Sequence, residues 1–263
     1  MFFWSEIVIT MIKSIFRRLP RKLRLFLRQA RTSLKTSLGI IYLGKARYCP
    51  VCEKSSRVFL PYGRVPRPDA MCPRCLALER HRVLWLFLKT KTDLFDGKAK
   101  KMLHVAPEAC FRRHFQRRLG ESYLTADLFN EDVMIKMDIT EIQFPDQSFD
   151  VIYCSHVLEH VDDDRKAMRE FNRVLKNDGW AILLVPITAK ETFEDASITD
   201  PQERLKVFGQ EDHVRRYGPD YVDRLREAGF QVTVTKQGDI VSSDEMGRLG
   251  LSKSGTEIYF CTK

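Results

Sequence analysis

The sequence predicts an α/β protein: a mostly parallel sheet covered by helices from residue 101 onward, with a small cysteine-rich module ahead of it. Three observations carry this. Apolar segments after residue 101 alternate between strand and helix periods. Four of the seven cysteines fall in two Cys-x2-Cys pairs between residues 49 and 75. The 263 residues suffice for one large core and an accessory unit, since domains run to about 100–200 residues. A hydrophobic fraction of 44% and a charged fraction of 30% lie in the ordinary soluble range and favour neither wholesale disorder nor a polytopic membrane protein.

Residues 1–44 form the first segment. The longest uncharged apolar run, Ile7 to Ile12, is closed by Glu6 and Lys13, far short of the roughly 18–20 residues of a spanning helix. Val8, Ile12, Ile15, Leu19, Leu23 and Phe26 recur at helical spacing with Arg17, Arg18, Arg21, Lys22, Arg24 and Arg28 between them, and Pro20 interrupts the run. This is the pattern of a helix lying in a membrane interface, so peripheral membrane association through residues 1–40 is expected. The competing reading is an unstructured extension before a start at Met11 or later. Charge is unevenly spread: residues 1–44 hold 9 Lys/Arg against 1 acid, residues 45–118 hold 18 against 6, and residues 119–263 hold 17 against 28. A basic front half favours an anionic partner, lipid or nucleic acid.

Residues 45–76 make a loop-rich unit holding Cys49, Cys52, Cys72 and Cys75, both pairs written Cys-Pro-x-Cys. Thiolates at this spacing select zinc, and a site with four protein ligands leaves no position for water or substrate, so a structural Zn2+ is expected. A redox pair or an iron site are the alternatives. Paired thiolates also fit a reducing, cytoplasmic compartment, at the inner face of a membrane where the basic segment reaches one. Cys110, Cys154 and Cys261 read as buried hydrophobes.

Residues 77–100 predict a linker helix with Val83, Leu84, Phe87 and Leu88 on its apolar side. Residues 101–263 then predict strands at 102–106, 122–126, 132–137, 149–154, 180–187, 230–236 and 256–262, with helices at 108–119, 164–177 and 219–228. The last two strands have no convincing helix between them and are expected to pair antiparallel at the sheet edge.

Ligands of open α/β sheets sit beyond the carboxyl ends of the strands. The residues there are Asp127, Asp138 and Ser155–His156. Two acids after successive strands suit a nucleoside, one accepting from ribose hydroxyls and the other from an adenine amino group, with Ile139 packed on the ring. Taken singly, each is an ordinary turn acid.

The segment "FPDQSFDVIYCSHVLEHVDDDRKAMREFNRVLKNDGWAILLVPI" resembles the corresponding segment of class I S-adenosylmethionine-dependent methyltransferases of the type 11 group. The resemblance runs from about residue 101 to the end and is specific over 144–187. It implies a Rossmann-like seven-stranded methyltransferase sheet, S-adenosylmethionine as cofactor, Asp127 at the ribose and Asp138 near the adenine. Gly179 falls where the family's helix ends in a left-handed residue. The opening motif departs: on the family's VLDxGxGxG, "MLHVAPEAC" places His104 at the acid and Ala106, Glu108 and Cys110 at the glycines. With Pro107 at the first helical position, the next N–H groups still face an anion such as the methionine carboxylate. Glu108 can meet the cofactor ammonium, and Ala106 is small enough for close approach.

For the methyl acceptor, His156, Glu159 and His213 are the candidate catalytic groups, with Arg215, Arg216 and Tyr217 available to an anionic acceptor and His160 as a capping residue. No Asp/Asn-Pro-Pro-aromatic tetrapeptide and no Pro-Cys nucleophile follows the relevant strands. The expected function is therefore O-methylation of a small-molecule or glycan acceptor near a membrane. The alternatives are an RNA methyltransferase gripping phosphates through Arg57, Arg64, Arg67 and Arg74, or a non-catalytic zinc-stabilised binding protein.

Overall fold

The computed structural model describes residues 41–63, 65–252 and 255–263. The expected membrane-interface helix, and Arg64, lie outside the described residues. Among the described residues, no helix is long and apolar enough to cross a membrane.

Two short hairpins begin the described chain. Strand β1 (Arg47–Cys49) pairs antiparallel with β2 (Lys54–Ser56), and β3 (Leu60–Tyr62) with β4 (Arg67–Met71). Each Cys-Pro-x-Cys knuckle follows a strand, and the tight returns put Glu53 and Leu76 at φ 56° and 65°. Helix α1 (Glu79–Lys91) comes next, its Val83, Leu84, Trp85, Phe87 and Leu88 buried. Arg82 lies beneath the module, fully buried, and donates to the carbonyls of Ala70, Ala77, Asp69 and Gly250 while its guanidinium covers the Phe59 ring at 4.6 Å. One cation thus ties the cysteine module to the loop ahead of the last strand. Such a buried donor set is costly to break, because each abandoned carbonyl loses about 1–3 kcal/mol.

The main sheet has seven strands in the order β12-β13-β9-β8-β5-β6-β7. They are β5 (Met102–Val105), β6 (Tyr123–Asp127), β7 (Ile135–Lys136), β8 (Phe149–Ser155), β9 (Leu175–Leu184), β12 (Gln231–Lys236) and β13 (Glu257–Thr262). Strands β5, β6, β7, β8 and β9 run parallel, and β13 is antiparallel to both β9 and β12. The expected edge pairing is therefore present, with β13 inserted between β9 and β12. Their near-continuous burial in β5, β8 and β9 is what helices on both faces require. Helix α2 (Ala109–Leu119) packs on β6, α3 (Asp164–Val174) on β9 and α5 (Tyr221–Glu227) on β12, while α6 (Ser243–Arg248) packs on β1; α4 is Pro201–Phe208, and β10 (Phe193–Glu194) pairs with β11 (Arg215–Arg216). Trp85 of α1 packs on Phe111 and Phe115 of α2, with ring centroids 5.8 and 6.1 Å apart.

Two expectations are corrected. Strand β7 shrinks to two residues, because residues 128–134 leave the sheet in turns set by Asp127 and Asn130 side chains. Helix α3 ends at Val174 and β9 starts at Leu175, so Gly179 is no left-handed helix cap. It lies in the strand, where a Cβ would come within 2.7 Å of the Asp150 carbonyl oxygen.

Candidate functional site

Register brings the site together. Val105 pairs with both Ala126 and Cys154, so Ala106, Asp127 and Ser155 follow at one level on the carboxyl edge. The chain passes outward from β5 through β6 and β7, then returns to β8 on the other side of β5. That reversal makes the crevice where an open sheet takes its ligand.

Ala106 stands at φ 47°, the left-handed region favoured by glycine, and its N–H donates to the Ala126 carbonyl at 2.8 Å. The backbone thus turns as a glycine would, with a methyl group as the side chain. Helix α2 begins at Ala109 with Glu108 as its cap residue. Pro107 therefore precedes the cap and is not the first helical residue, because Glu108 is still extended at φ −71°, ψ 132°. The amides of Phe111 and Arg112 donate to the Glu108 carbonyl; the amides before them belong to the open first turn of the helix.

The Glu108 carboxylate is held from inside the sheet. Its Oε2 lies 2.7 Å from His104 Nε2, and its Oε1 accepts from the Tyr153 hydroxyl at 2.7 Å. His104 Nδ1 meets the Tyr123 hydroxyl at 2.8 Å, and His104 is fully enclosed, so it stands behind Glu108 with no face open to a ligand. Burial alone would raise the Glu108 pKa, but the bond and charge of His104, the nearby His81 and the Tyr153 hydroxyl outweigh it and hold the carboxyl down to about 2. His81 Nδ1 accepts from the Leu78 amide at 3.1 Å and Nε2 sits 3.8 Å from Glu108 Oε1. Burial pushes the His81 pKa down to about 3, so the ring is neutral. Cys110, at the third glycine position, is buried with Sγ 3.4 Å from His81 Nδ1.

Asp127 Oδ1 accepts from the amides of Phe129 and Asn130, and Asp138 Oδ1 accepts from the amide and hydroxyl of Thr140. Both acids are thereby fixed at their turns. Ile139 is 5% exposed, whereas Leu128 and Phe129, just after Asp127, are 47% and 83% exposed. Sequence periodicity gave no reason to single out this apolar pair. Tyr123, Tyr153 and His81 were likewise missed, since nothing local marks residues that act by long-range contact with Glu108.

After β8, His156 is left-handed at φ 55°, and its Nδ1 lies 3.2 Å from Glu159 Oε1. Glu159 and His160 sit in a 3-10 turn, Leu158–His160. The Val214 amide donates to the Glu159 carbonyl at 3.0 Å, which brings His213 beside that turn. His213 is buried, and its pKa is lowered by burial and by the neighbouring His160. Arg215 and Tyr217, expected at an anionic acceptor, are unavailable to one. Arg215 is 2% exposed and donates to Glu194 and to the carbonyls of Leu158, Val161 and Asp162, while Tyr217 is fully buried and donates to Asp164 at 2.6 Å. Arg216 is half-buried against Thr188.

The four paired cysteines converge. Cys49 and Cys75 Sγ lie 3.5 Å apart, Cys52 and Cys72 Sγ 3.8 Å, and all four sulfurs fall within 4.8 Å of one another. A tetrahedron with Zn–S bonds of about 2.3 Å has edges of about 3.8 Å, and disulfides need about 2.05 Å, so the arrangement fits a zinc ribbon.

Comparisons with known proteins agree with this fold. Residues 100–183 match the family model of a methyltransferase domain of the type 11 group. An uncharacterized methyltransferase, YcgJ, of Bacillus subtilis is 46% identical over 55 residues, 20% of this chain and 22% of that protein. An uncharacterized protein of Methanocaldococcus jannaschii is 36% identical over 75 residues, 27% of this chain and 33% of that one. The chain thus matches between about a fifth and a third of these relatives' lengths. The crystal structure of an S-adenosylmethionine dependent methyltransferase from Mesorhizobium loti superimposes with a TM-score of 0.50 at 13% identity, covering 69% of this chain and 98% of that one, a likeness of fold.

Proposed function

We propose that this chain, whose residues 100–183 carry a type 11 methyltransferase domain, transfers a methyl group from S-adenosylmethionine to a hydroxyl of a small molecule or glycan. The observation that carries the reading is the common level of Ala106, Asp127 and Ser155 beside the first turn of α2. The amides of that turn suit the methionine carboxylate, Glu108 the ammonium, Asp127 the ribose, and Asp138 with Ile139 the adenine. His104 acts through Glu108 as a positioning residue. The acid that the family carries at the end of its first strand is replaced by His104, and a carboxylate four residues later restores the negative charge at the same crevice.

When bound, the cofactor supplies an electrophilic methyl carbon whose bond to sulfur breaks, the electron pair staying on sulfur, as the bond to the acceptor oxygen forms. His156 is suited to take the acceptor's proton. Donating its Nδ1–H as a hydrogen bond to the buried Glu159 carboxylate leaves Nε2 with the lone pair, and the carboxylate charge stabilises the ring once it is protonated. His213 stands beside the Leu158–His160 turn, brought there from a distant segment by the bond from the Val214 amide to the Glu159 carbonyl. The four-cysteine ribbon is suited to a structural zinc, and Arg82 ties it to the loop at Gly250.

The RNA reading draws less support. Arg67 is committed to Glu79 at 2.9 Å, Phe59 lies under Arg82, and Tyr48 lies under Arg248. Residues 1–40 remain the proposed tether to an anionic membrane. The function is tested by incubating the zinc-loaded protein with methyl-labelled S-adenosylmethionine and separate pools of glycans, small hydroxyl compounds and RNA. Label in an alkali-stable ether within the first two pools is expected; label confined to RNA, or transferred nowhere, overturns the proposal.

A further inference from the structure

Glu159, His160 and His213 each bring one ligand atom within 4.8 Å of the others. Glu159 is 1% exposed and His213 6%, yet Glu159 Oε2 and His213 Nε2 are buried without a hydrogen-bond partner among the described residues. Native cores rarely leave one such atom unpaired, and two on residues of one cluster call for a shared partner. His160 Nδ1 lies 3.2 Å from the Asp212 carbonyl and 3.3 Å from its carboxylate. Donation to either oxygen leaves Nε2 with the lone pair, the arrangement by which outer oxygens orient a metal-binding imidazole. The two imidazole rings stand edge to face, their centroids 4.6 Å apart. The supporting backbone is locked: the Val214 amide binds the Glu159 carbonyl, and Arg215 binds the carbonyls of Leu158, Val161 and Asp162.

We propose that Glu159, His160 and His213 form a binding site for a divalent first-row transition-metal cation, separate from the four-cysteine ribbon. Two imidazoles and one carboxylate are the donor set that such ions take, and they differ from thiolates in selecting against soft-metal chemistry. With bonds of about 2.1 Å, neighbouring ligand atoms stand about 3–3.4 Å apart, so closure from separations within 4.8 Å needs a contraction of up to about 1.4–1.8 Å, toward which the half-buried His160 is free to move.

The use of the site rests on the methyltransferase reading and deepens it. Glu159 offers Oε1 to His156 and keeps Oε2 for the cation. A cation held there would acidify an acceptor hydroxyl, whose proton His156 is placed to take. The hydroxyl oxygen then bonds to the methyl carbon as the carbon–sulfur bond breaks, with the electron pair left on sulfur. The acceptor this geometry favours carries a second oxygen able to chelate, as in a vicinal diol or hydroxy acid.

The test is a calorimetric titration of Co2+ alone into the full-length, zinc-loaded protein, with absorption spectra taken in parallel. One additional Co2+ per chain is expected, without thiolate-to-cobalt charge-transfer bands. Affinity should fall by about 10-fold or more in Glu159→Gln and in His213→Ala. His160→Ala, at a half-buried position, gives the same readout should either of those variants lose its circular dichroism. No additional Co2+ at millimolar concentration, binding with thiolate bands only, or unchanged affinity in His160→Ala overturns the site. Co2+ binding retained in a protein that takes up no S-adenosylmethionine overturns the methyltransferase reading and leaves the metal site standing.

Discussion

Replacing Glu108 by glutamine isolates the charge that this chain has placed where the family carries glycine. Its side chain is only 15% exposed, and two bonds of 2.7 Å hold it to His104 and Tyr153. The carboxyl is held at about 2 against an ordinary 4.5. That interval, at about 1.4 kcal/mol per pH unit, corresponds to roughly 3 kcal/mol of stability. Because the folded value lies below the unfolded one, this stabilisation is complete above pH 4.5 and disappears as pH falls toward 2. Glutamine keeps the shape and still accepts from Tyr153, so the difference between the proteins reports the charge. Urea unfolding of wild type and Glu108→Gln should differ by about 3 kcal/mol at pH 7 and by about half of that at pH 3. Metal loss from the ribbon at low pH affects both proteins and cancels. A difference below about 1 kcal/mol at neutral pH, or one of equal size at pH 3 and pH 7, would mean that the Glu108 charge does not stabilise the fold.

Ala106→Val places a β-branched side chain at φ 47° and should lower stability by about 1–3 kcal/mol in thermal unfolding, with weaker S-adenosylmethionine binding. Asp164→Asn removes the buried charge that receives the Tyr217 hydroxyl at 2.6 Å and Arg224 at 3.0 Å. Glu194 alone is left to balance two buried guanidinium groups, and urea unfolding should show a loss of about 3–5 kcal/mol. Cys72→Ser should reduce zinc content below one ion per chain, and limited proteolysis should then cut within residues 45–76 before it reaches the sheet.

Much of the sheet was legible because its strands are short apolar runs bounded by turns and its helices carry apolar steps of four, as at Phe111 and Phe115. The β9 boundary was not. "VLKNDGW" continues the period of α3, and only the pairing of Leu175 with Phe149 across the sheet decides for strand. Helix α4 was overlooked although its limits are written locally: Asp200 caps it, Pro201 opens it, and Gly209 closes it at φ 90°. Its weakly periodic, polar composition hid those signals. At the site, Asp127 and Ser155 could be placed from strand ends alone. The role of His104 could not, because it depends on Tyr123, Tyr153 and Glu108 meeting in space. Arg215 and Tyr217 misled for the same reason: polar residues near a site look available until their buried partners are known.

On the proposed function, a turn with alanine in the glycine conformation, a helix first turn and carboxylates at neighbouring strand ends together hold S-adenosylmethionine. Calorimetric titration of that compound into the zinc-loaded protein tests it most directly, with Asp127→Ala in parallel. Saturable heat is expected in wild type, with an affinity at least about 10-fold weaker in the variant, the worth of a hydrogen bond to a charged group. Absence of heat at millimolar ligand, or equal affinity in both proteins, would contradict it.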